Sequence, residues 1–496
     1  MINPSNSFDC AIVGGGPAGS LLATKLAEWG HKVALIDRGG RAGSVPEETM
    51  VPGAQAILKR NGITASIRAH DFLGTKEHGI VWGDGELRWR RAENEERGFQ
   101  VVRKIFDLDM RNIARSHGVT LFENTRVPGP LPQSGSGSFD VADKSGKVTR
   151  LYARVIALAG GKQSIPELLP LSLERQLPRT AAIGTRVLAN DVHQNFRQAT
   201  VIEAIPQGWM WWLPLRNGEI SVSLFCDVDE LKAAGRNRLF EEALSHTSGP
   251  AAQLREILRV QRSKSTKAEP QEFLKTGRGA VATSRLLSTP SEILLLGDAA
   301  STIDPLSSQG IEKALSSAEQ AAVAVNTILE DPLHRREVIT RHQEWEAGAW
   351  EIHAKKTLGF YLKETRFSDQ PFWQARHDMV RVEIETPGEP SELPHRLRPH
   401  PDLQERPTLR RKGNRYIAAR GYALKRSRRT IESLGRVPLE PIIKHLNHNG
   451  QVEGFMEQVR SDPRLYLVSP RLIVQALTEL LRLGMIVEAQ EHPERG

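Results

Sequence analysis

Six residues near the N-terminus, Gly14-Gly15-Gly16-Pro17-Ala18-Gly19, constrain this chain more than any other stretch. Before them, Phe8 to Val13 reads as a short buried strand. After them, Ser20 to Gly30 carries Leu21, Leu22, Leu26 and Trp29 at helical spacing. Lys32 to Ile36 reads as a second buried strand. Gly14, Gly16 and Gly19 therefore fit G-x-G-x-x-G inside a strand–turn–helix–strand unit. The first glycine permits the tight turn, the second lets the backbone approach a pyrophosphate, and the third lets the helix pack close to the strand. The pyrophosphate would sit at the positive end of the helix dipole. Asp37 closes the second strand, where an acid can bond a ribose hydroxyl. With Ala18 in the turn and Arg38 beside the acid, these residues are candidate contacts to a dinucleotide.

At 496 residues the chain is longer than one hydrophobic core usually serves, so several domains are expected. Leu151 to Leu158 and Glu292 to Leu296 read as further short apolar strands, each running into glycine, and Ile311 to Leu329 reads as an alanine-rich helix. Ala181 to Asp227 instead alternates apolar and polar residues, as antiparallel strands do. The predicted fold class is α/β. A Rossmann-like nucleotide-binding domain comprises residues 1–175 and 275–385, with an antiparallel β substrate domain inserted at 176–274. A Pro-rich linker follows at 386–408. A small, mainly helical domain ends the chain at 409–496, with helices expected at Leu439 to Leu446, Phe455 to Val459 and Pro470 to Leu483 before a last strand. This order resembles a winged-helix module.

Charge and cysteine content exclude several classes. The net charge is +8, and eleven lysines and arginines lie between Arg406 and Arg436, opposed there only by Glu432. That segment carries +10, so the remainder is 8 − 10 = −2, near neutral. The segment reads either as a solvated helix face or as an attractor for a polyanion. DNA is not the expected partner, because Pro470 to Leu483 holds only Arg471 and Arg482 as cations. The two cysteines, Cys10 and Cys226, sit in apolar strand-like runs and read as small buried hydrophobes, which excludes a disulfide scaffold and a four-cysteine metal site. No metal site is expected. No apolar run reaches the ~18–20 residues of a membrane helix. The polar start carries no secretory signal, so a cytoplasmic location is expected.

Residues 297–315 begin Gly-Asp-Ala-Ala-Ser-Thr-Ile-Asp-Pro-Leu-Ser-Ser-Gln-Gly-Ile. This resembles the second flavin motif of FAD-dependent monooxygenases and flavin-dependent halogenases. The resemblance implies FAD as the dinucleotide, with Gly297 and Asp298 by the ribityl chain. It places Pro305, Gln309, Gly310 and Ile311 under the flavin ring, where a helix N-terminus meets it. Arg103, Gly160 within Ala159-Gly160-Gly161, and the stretch Pro46 to Pro52 resemble further cofactor-side elements of these enzymes. Trp209-Met-Trp-Trp-Leu-Pro214 resembles the Trp-x-Trp-x-Ile-Pro motif of the halogenases. Tyr361 and Thr365 to Trp373 resemble their late Tyr…Phe-Trp segment. Trp209 and Trp211 are candidate substrate contacts, or simply large aromatics of a packed sheet.

Tryptophan halogenases of this kind use a lysine, for which Lys76 is the candidate, and a glutamate in the flavin loop. Here that position is Ser307, and Gln309 replaces the threonine before the glycine. The expectation is therefore aromatic hydroxylation through a flavin C4a-hydroperoxide, using O2 and NADH or NADPH directly or through a partner flavin reductase. Lys76, His78 and Glu48 are the candidate catalytic residues, with Asp304 a further acid or base. The architecture is also similar to the flavoprotein monooxygenases of tryptophylquinone cofactor biogenesis in quinohemoprotein amine dehydrogenases. That likeness implies a tryptophan in a peptide or protein as substrate. The alternatives are a two-component halogenase or hydroxylase of a small indole or phenol, an isoprenoid-type reductase, and a non-catalytic DNA-binding flavoprotein sensor.

Overall fold

The computed structural model describes residues 4–39, 48–67, 72–75, 77–91, 98–161, 168–188, 193–248, 252–253, 255–257, 280–282, 284–384, 393–427, 430–434, 437–448, 452, 462, 465 and 468–489. Two compact units divide it, residues 1–335 with 345–381, and residues 336–344 with 382–496.

The first unit holds the nucleotide sheet. Its parallel strands lie in the order Leu294–Leu295, Val148–Leu158, Ser7–Val13, Val33–Asp37 and Thr120–Glu123, and Gly137–Ala142 runs antiparallel to Val148–Leu158. The central runs are continuously apolar because the sheet is covered on both faces, and Cys10, Ala11, Ile12, Val155 and Ile156 are fully buried. The chain leaves Ser7–Val13 toward Val33–Asp37 on one side, while Val148–Leu158 lies on the other. The carboxyl ends of these strands thus form a topological switch point, where ligands of open α/β sheets bind. The helices Pro17–Glu28 and Gly310–Glu330 carry long buried apolar faces. Both cysteines are buried, and burial pushes the Cys226 thiol up to about 12.

A seven-stranded sheet forms the other half of this unit, in the order Ala280–Ala282, Thr180–Leu188, Glu219–Asp227, Gly208–Pro214, Ala199–Ile205, Glu77–Val81 and Leu87–Arg91. The alternating segment forms the expected antiparallel strands. The interval 176–274 does not contain the whole sheet. Glu77–Val81 joins it in parallel pairing with Ala199–Ile205, and Leu87–Arg91 and Ala280–Ala282 complete it from either side of the interval. Strands supplied from a distance leave no periodic signature at the place that receives them.

The second unit differs from the sequence expectation in two ways. The supposed linker, 386–408, is folded from Leu397 onward, and the basic segment is largely a β-hairpin, Leu403–Lys412 against Arg415–Leu424, rather than a helix face or a coil. Leu409, Tyr416 and Tyr422 lie on one face of the hairpin and are buried, while Arg410, Arg411, Lys412 and Arg415 are exposed. The unit is therefore built on strands as much as on helices. Ser469 caps the helix Pro470–Arg482 by accepting a hydrogen bond from Leu472 N, and that helix buries Ile473, Ala476, Leu477 and Leu480 at helical spacing. Strand Ile486–Glu488 then pairs with Leu397–Pro399. Residues 455–459 lie outside the described residues. Among the described residues no helix is long and apolar enough to cross a membrane.

Candidate active site

The glycine motif sits at the switch point. Gly14 has φ +119°, a conformation that disfavours side chains, and a Cβ there would run into the Ala159 carbonyl and Gly160 N. Gly160 thus closes against the first motif. Gly14 N donates to Ile36 O at 2.8 Å, tying the turn to the next strand. A Cβ on Gly19 would collide with Gly14 O, which is the close helix–strand approach the motif requires. Gly16 caps the Pro17–Glu28 helix without any side-chain hydrogen bond, the first turn holds no acid, and a Cβ on Gly16 would meet no protein atom within 4 Å. The helix N–H groups are left for an external anion. Asp37 lies at the end of its strand beside Gly15. Its Oδ2 is 3.1 Å from Arg111, which also donates to Gly15 O at 3.1 Å, and its Oδ1 accepts from Gly39 N at 3.2 Å. Arg38 is exposed. Arg111, on the helix Arg103–Ser116, carried no sequence signal because it reaches the motif only through tertiary packing.

The second motif meets the first. A Cβ on Gly297 would lie 2.9 Å from the Ala18 Cβ, so the two segments are in direct contact. Asp298 is exposed between buried Gly297 and Ala299. A buried polar network anchors the turn from behind. Gly297 N donates to Ser317 Oγ at 2.8 Å, and Lys313 Nζ donates to Gly297 O at 2.6 Å and Ser301 O at 2.5 Å. Glu346 lies 3.4 Å from Lys313 and accepts from Ser301 Oγ at 3.1 Å and from Ser317 Oγ. Lys313 and Glu346 are each only 2% exposed, and neither was anticipated. The loop then forms a short 3-10 turn, Pro305–Ser307, and Ser308 takes a left-handed conformation. Gln309 precedes the helix, which begins at Gly310 rather than Ile311. Gln309 Oε1 is buried without a hydrogen-bond partner.

Glu48 reaches this helix start, its Oε2 lying 3.8 Å from where a Cβ on Gly310 would be. Its Oε1 accepts from Arg103 at 2.6 Å, and Arg103 also holds Asp107 at 3.0 Å. Burial works to lower the Arg103 pKa, but the two carboxylates outweigh it and the guanidinium is held charged. Three sequence candidates, Glu48, Arg103 and Gly310, are thus brought together, with Glu48 in an ion pair.

One face of the seven-stranded sheet turns toward the loop. Register places Ala182, Phe225, Trp209 and Ala204 in one row, and Gly184, Ser223, Trp211, Ile202 and Ile80 in the next. His78 and Thr200 pair one step further along. Leu306 of the loop packs on this face with Tyr361, Phe372 and Trp373. Trp209 is fully buried, stacked on Phe225 at 3.8 Å, and its Nε1 donates to Tyr361 OH at 3.3 Å. It is a scaffold residue of this face. Trp211 is buried in the middle row, where Gly184, Ser223 and Ile202 are only partly covered. His78 has its pKa lowered by burial and by Arg90, which favours the neutral imidazole. Thr200 beside it joins a buried chain, accepting from Gln100 Nε2 at 2.9 Å, while Gln100 Oε1 accepts from Thr49 at 2.9 Å. Lys76 lies outside the described residues.

The halves of the site fit FAD. An uncapped helix N-terminus and a glycine cradle suit the pyrophosphate, Asp37 suits a ribose, and the orphaned Gln309 oxygen at the second helix start suits the N–H edge of a flavin. The comparisons agree. A profile of the FAD binding domain family matches residues 7–351, and the chain belongs to that family. It is an α/β FAD-binding oxidoreductase of the monooxygenase and halogenase type.

Among individual proteins, it is 26% identical over 379 residues to a tryptophan 2-halogenase of Chondromyces crocatus, covering 75% of this chain and 71% of that protein. The fold is similar to that of the flavin-dependent halogenase CmlS, with TM-score 0.71, 19% identity and 98% of both chains covered. It is also similar to the peptidyl tryptophan dihydroxylase QhpG, essential for tryptophylquinone cofactor biogenesis, with TM-score 0.64, 20% identity, and 96% of this chain and 99% of that chain covered.

Proposed function

We propose that this protein is a monooxygenase that hydroxylates an electron-rich aromatic ring, a tryptophan side chain within a peptide or protein. One observation carries the choice of hydroxylation over halogenation. The flavin loop presents no carboxylate to the sheet face. Its one acid, Asp304, is bound to Tyr361, and Ser307 turns its hydroxyl back onto Asp304 O at 3.0 Å. The loop thus offers no acid to activate a halogenating species. The likeness to the peptidyl tryptophan dihydroxylase along nearly the whole chain supports a polypeptide substrate.

The balance is one atom of O2 to the ring and the other to water, with two electrons from NADH or NADPH, delivered directly or through a reductase. Bound FAD supplies the activation of O2. The chain supplies the rest. Gly14 to Gly19 and the Pro17–Glu28 helix hold the pyrophosphate, and Asp37 a ribose. The N-terminus of Gly310–Glu330 offers its positive dipole end to charge developing on the flavin edge. Trp211, Ile202, Gly184 and Ser223 form a largely apolar wall that receives the ring and excludes water. Neutral His78 is the available acceptor for the ring proton. The test is mass spectrometry of tryptophan peptides incubated with holoenzyme, NADH or NADPH, a flavin reductase, halide and labelled O2. Incorporated label supports hydroxylation, and a halogen mass shift without label overturns it.

A further inference from the structure

We infer that Tyr361 is a positioning residue that locks the flavin loop to the substrate sheet. The polarity of its hydrogen bonds is fixed by chemistry. The Trp209 indole N–H can only donate, so the Tyr361 oxygen accepts from it at 3.3 Å. The Tyr361 proton is then committed to Asp304, whose two carboxylate oxygens are both 3.1 Å away. Asp304 Oδ1 also accepts from Leu306 N at 2.9 Å, capping the Pro305–Ser307 turn that leads to Gln309 and Gly310. An ionised Asp304 only accepts and takes both donors, whereas protonation turns one of its oxygens into a donor and weakens the bonds it accepts, so the arrangement is tightest while Asp304 keeps its charge.

That charge is under strain from its surroundings. Asp304, Tyr361 and Trp209 are all buried, at 5%, 1% and 1% exposure. Burial pushes the Asp304 carboxyl up, while the Leu306 amide, Arg376 and the Tyr361 hydroxyl pull it down. The same burial, with Asp304 nearby, raises the Tyr361 hydroxyl well above its usual value, so it remains a donor. The groups facing Asp304 come from three elements: Leu306 N from its own turn, Tyr361 from helix Arg335–Tyr361, and Arg376 from helix Pro371–Ile384. Arg376 lies over the Phe372 ring at 3.4 Å and pairs with Asp227 at the end of a substrate-sheet strand. Removal of the Tyr361 hydroxyl takes one donor from the carboxylate and cuts the link to Trp209, while the ring continues to fill the aromatic cluster. The loop cap then loosens as Asp304 takes up a proton.

The test uses holoenzyme and the dissociation constant of FAD, read by flavin fluorescence from about pH 5 to about pH 9. In Tyr361→Phe the midpoint of the affinity loss on acidification moves up by about one pH unit, so that affinity is about tenfold weaker than wild type between the two midpoints. Asp304→Asn removes that titration, and Tyr361→Phe/Asp304→Asn matches Asp304→Asn, because Tyr361 acts through Asp304. Trp209→Phe keeps the ring stack, loses the N–H, and shifts the midpoint the same way by less. It serves where Tyr361→Phe folds poorly. A Tyr361→Phe profile parallel to wild type, or a double variant whose loss is the sum of the singles, overturns the inference.

Discussion

Substituting Lys313 by methionine isolates the buried network behind the second flavin motif. The side chain keeps its length and apolar stem but loses the ammonium. In the wild type that ammonium donates to two backbone carbonyls, Gly297 O at 2.6 Å and Ser301 O at 2.5 Å, and lies 3.4 Å from Glu346. Each charge-assisted bond contributes about 1.5–3 kcal/mol net, and the two together give about 3–6 kcal/mol. Breaking one partner of a buried ion pair independently suggests about 3–5 kcal/mol. Both routes converge on a loss of about 4 kcal/mol, large against the marginal stability of most domains. Glu346 is then left buried with Ser301 and Ser317 as its donors among the described residues. Changing Glu346 to glutamine in the same protein removes the stranded charge and recovers part of the loss, on the order of 1–2 kcal/mol. Urea unfolding at saturating FAD, followed by tryptophan fluorescence, measures both. A Lys313→Met protein within about 0.5 kcal/mol of wild type, the range of ordinary surface changes, refutes the reasoning.

Two further perturbations separate binding from folding. Gly16→Val places its Cβ where no protein atom lies within 4 Å, so the backbone is not forced to move while the approach to the helix N-terminus is filled; the protein purifies colourless, and a yellow preparation refutes the placement of the pyrophosphate. Glu230 is half-buried beside Asp227 and Glu242, and burial first, then those charges, raise its pKa to about 7. A raised carboxylate pKa means that folding disfavours the ionised form, so stability is lost as pH climbs from the usual carboxylate range through about 7. Glu230→Gln therefore stabilises the protein at about pH 8.5 and leaves it nearly unchanged at about pH 5, where the wild-type group is already protonated. Equal gains at both pH values in thermal melts refute the assignment.

What the sequence disclosed was what is local. The turn at Gly14 to Gly19 follows from short-range rules of strand, turn and cap, the Gly297-Asp298 pair was legible through its resemblance to a flavin motif, and the long helix starts within one residue of its expected place. The antiparallel strands after Ala181 followed from alternation. What it hid depends on partners far along the chain. Arg111 matters because a helix places it beside Asp37 and Gly15. Lys313 reads as an ordinary helix lysine until Gly297, Ser301 and Glu346 close around it. Trp209 reads either as a substrate contact or as a packed sheet aromatic, and its stack on Phe225 and N–H on Tyr361 come from partners the sequence does not place beside it. The basic segment was legible in charge but not in shape, because cations on both faces of the hairpin leave no alternating apolar pattern to read.

The parallel pairing of Glu77–Val81 with Ala199–Ile205 bears on how such enzymes can be rebuilt. Four of the seven strands lie within 176–274, and the other three are contributed by flanking sequence. The sheet cannot close until the chain between those strands has been made and folded over, an order of events that favours slow, non-local assembly. An exchange of residues 176–274 between relatives would carry over the strands bearing Trp211, Ser223 and Ile202 but leave behind the one bearing His78 and Ile80. The seven-stranded sheet is therefore not a cassette. It is inherited jointly with the nucleotide-binding body that interrupts it.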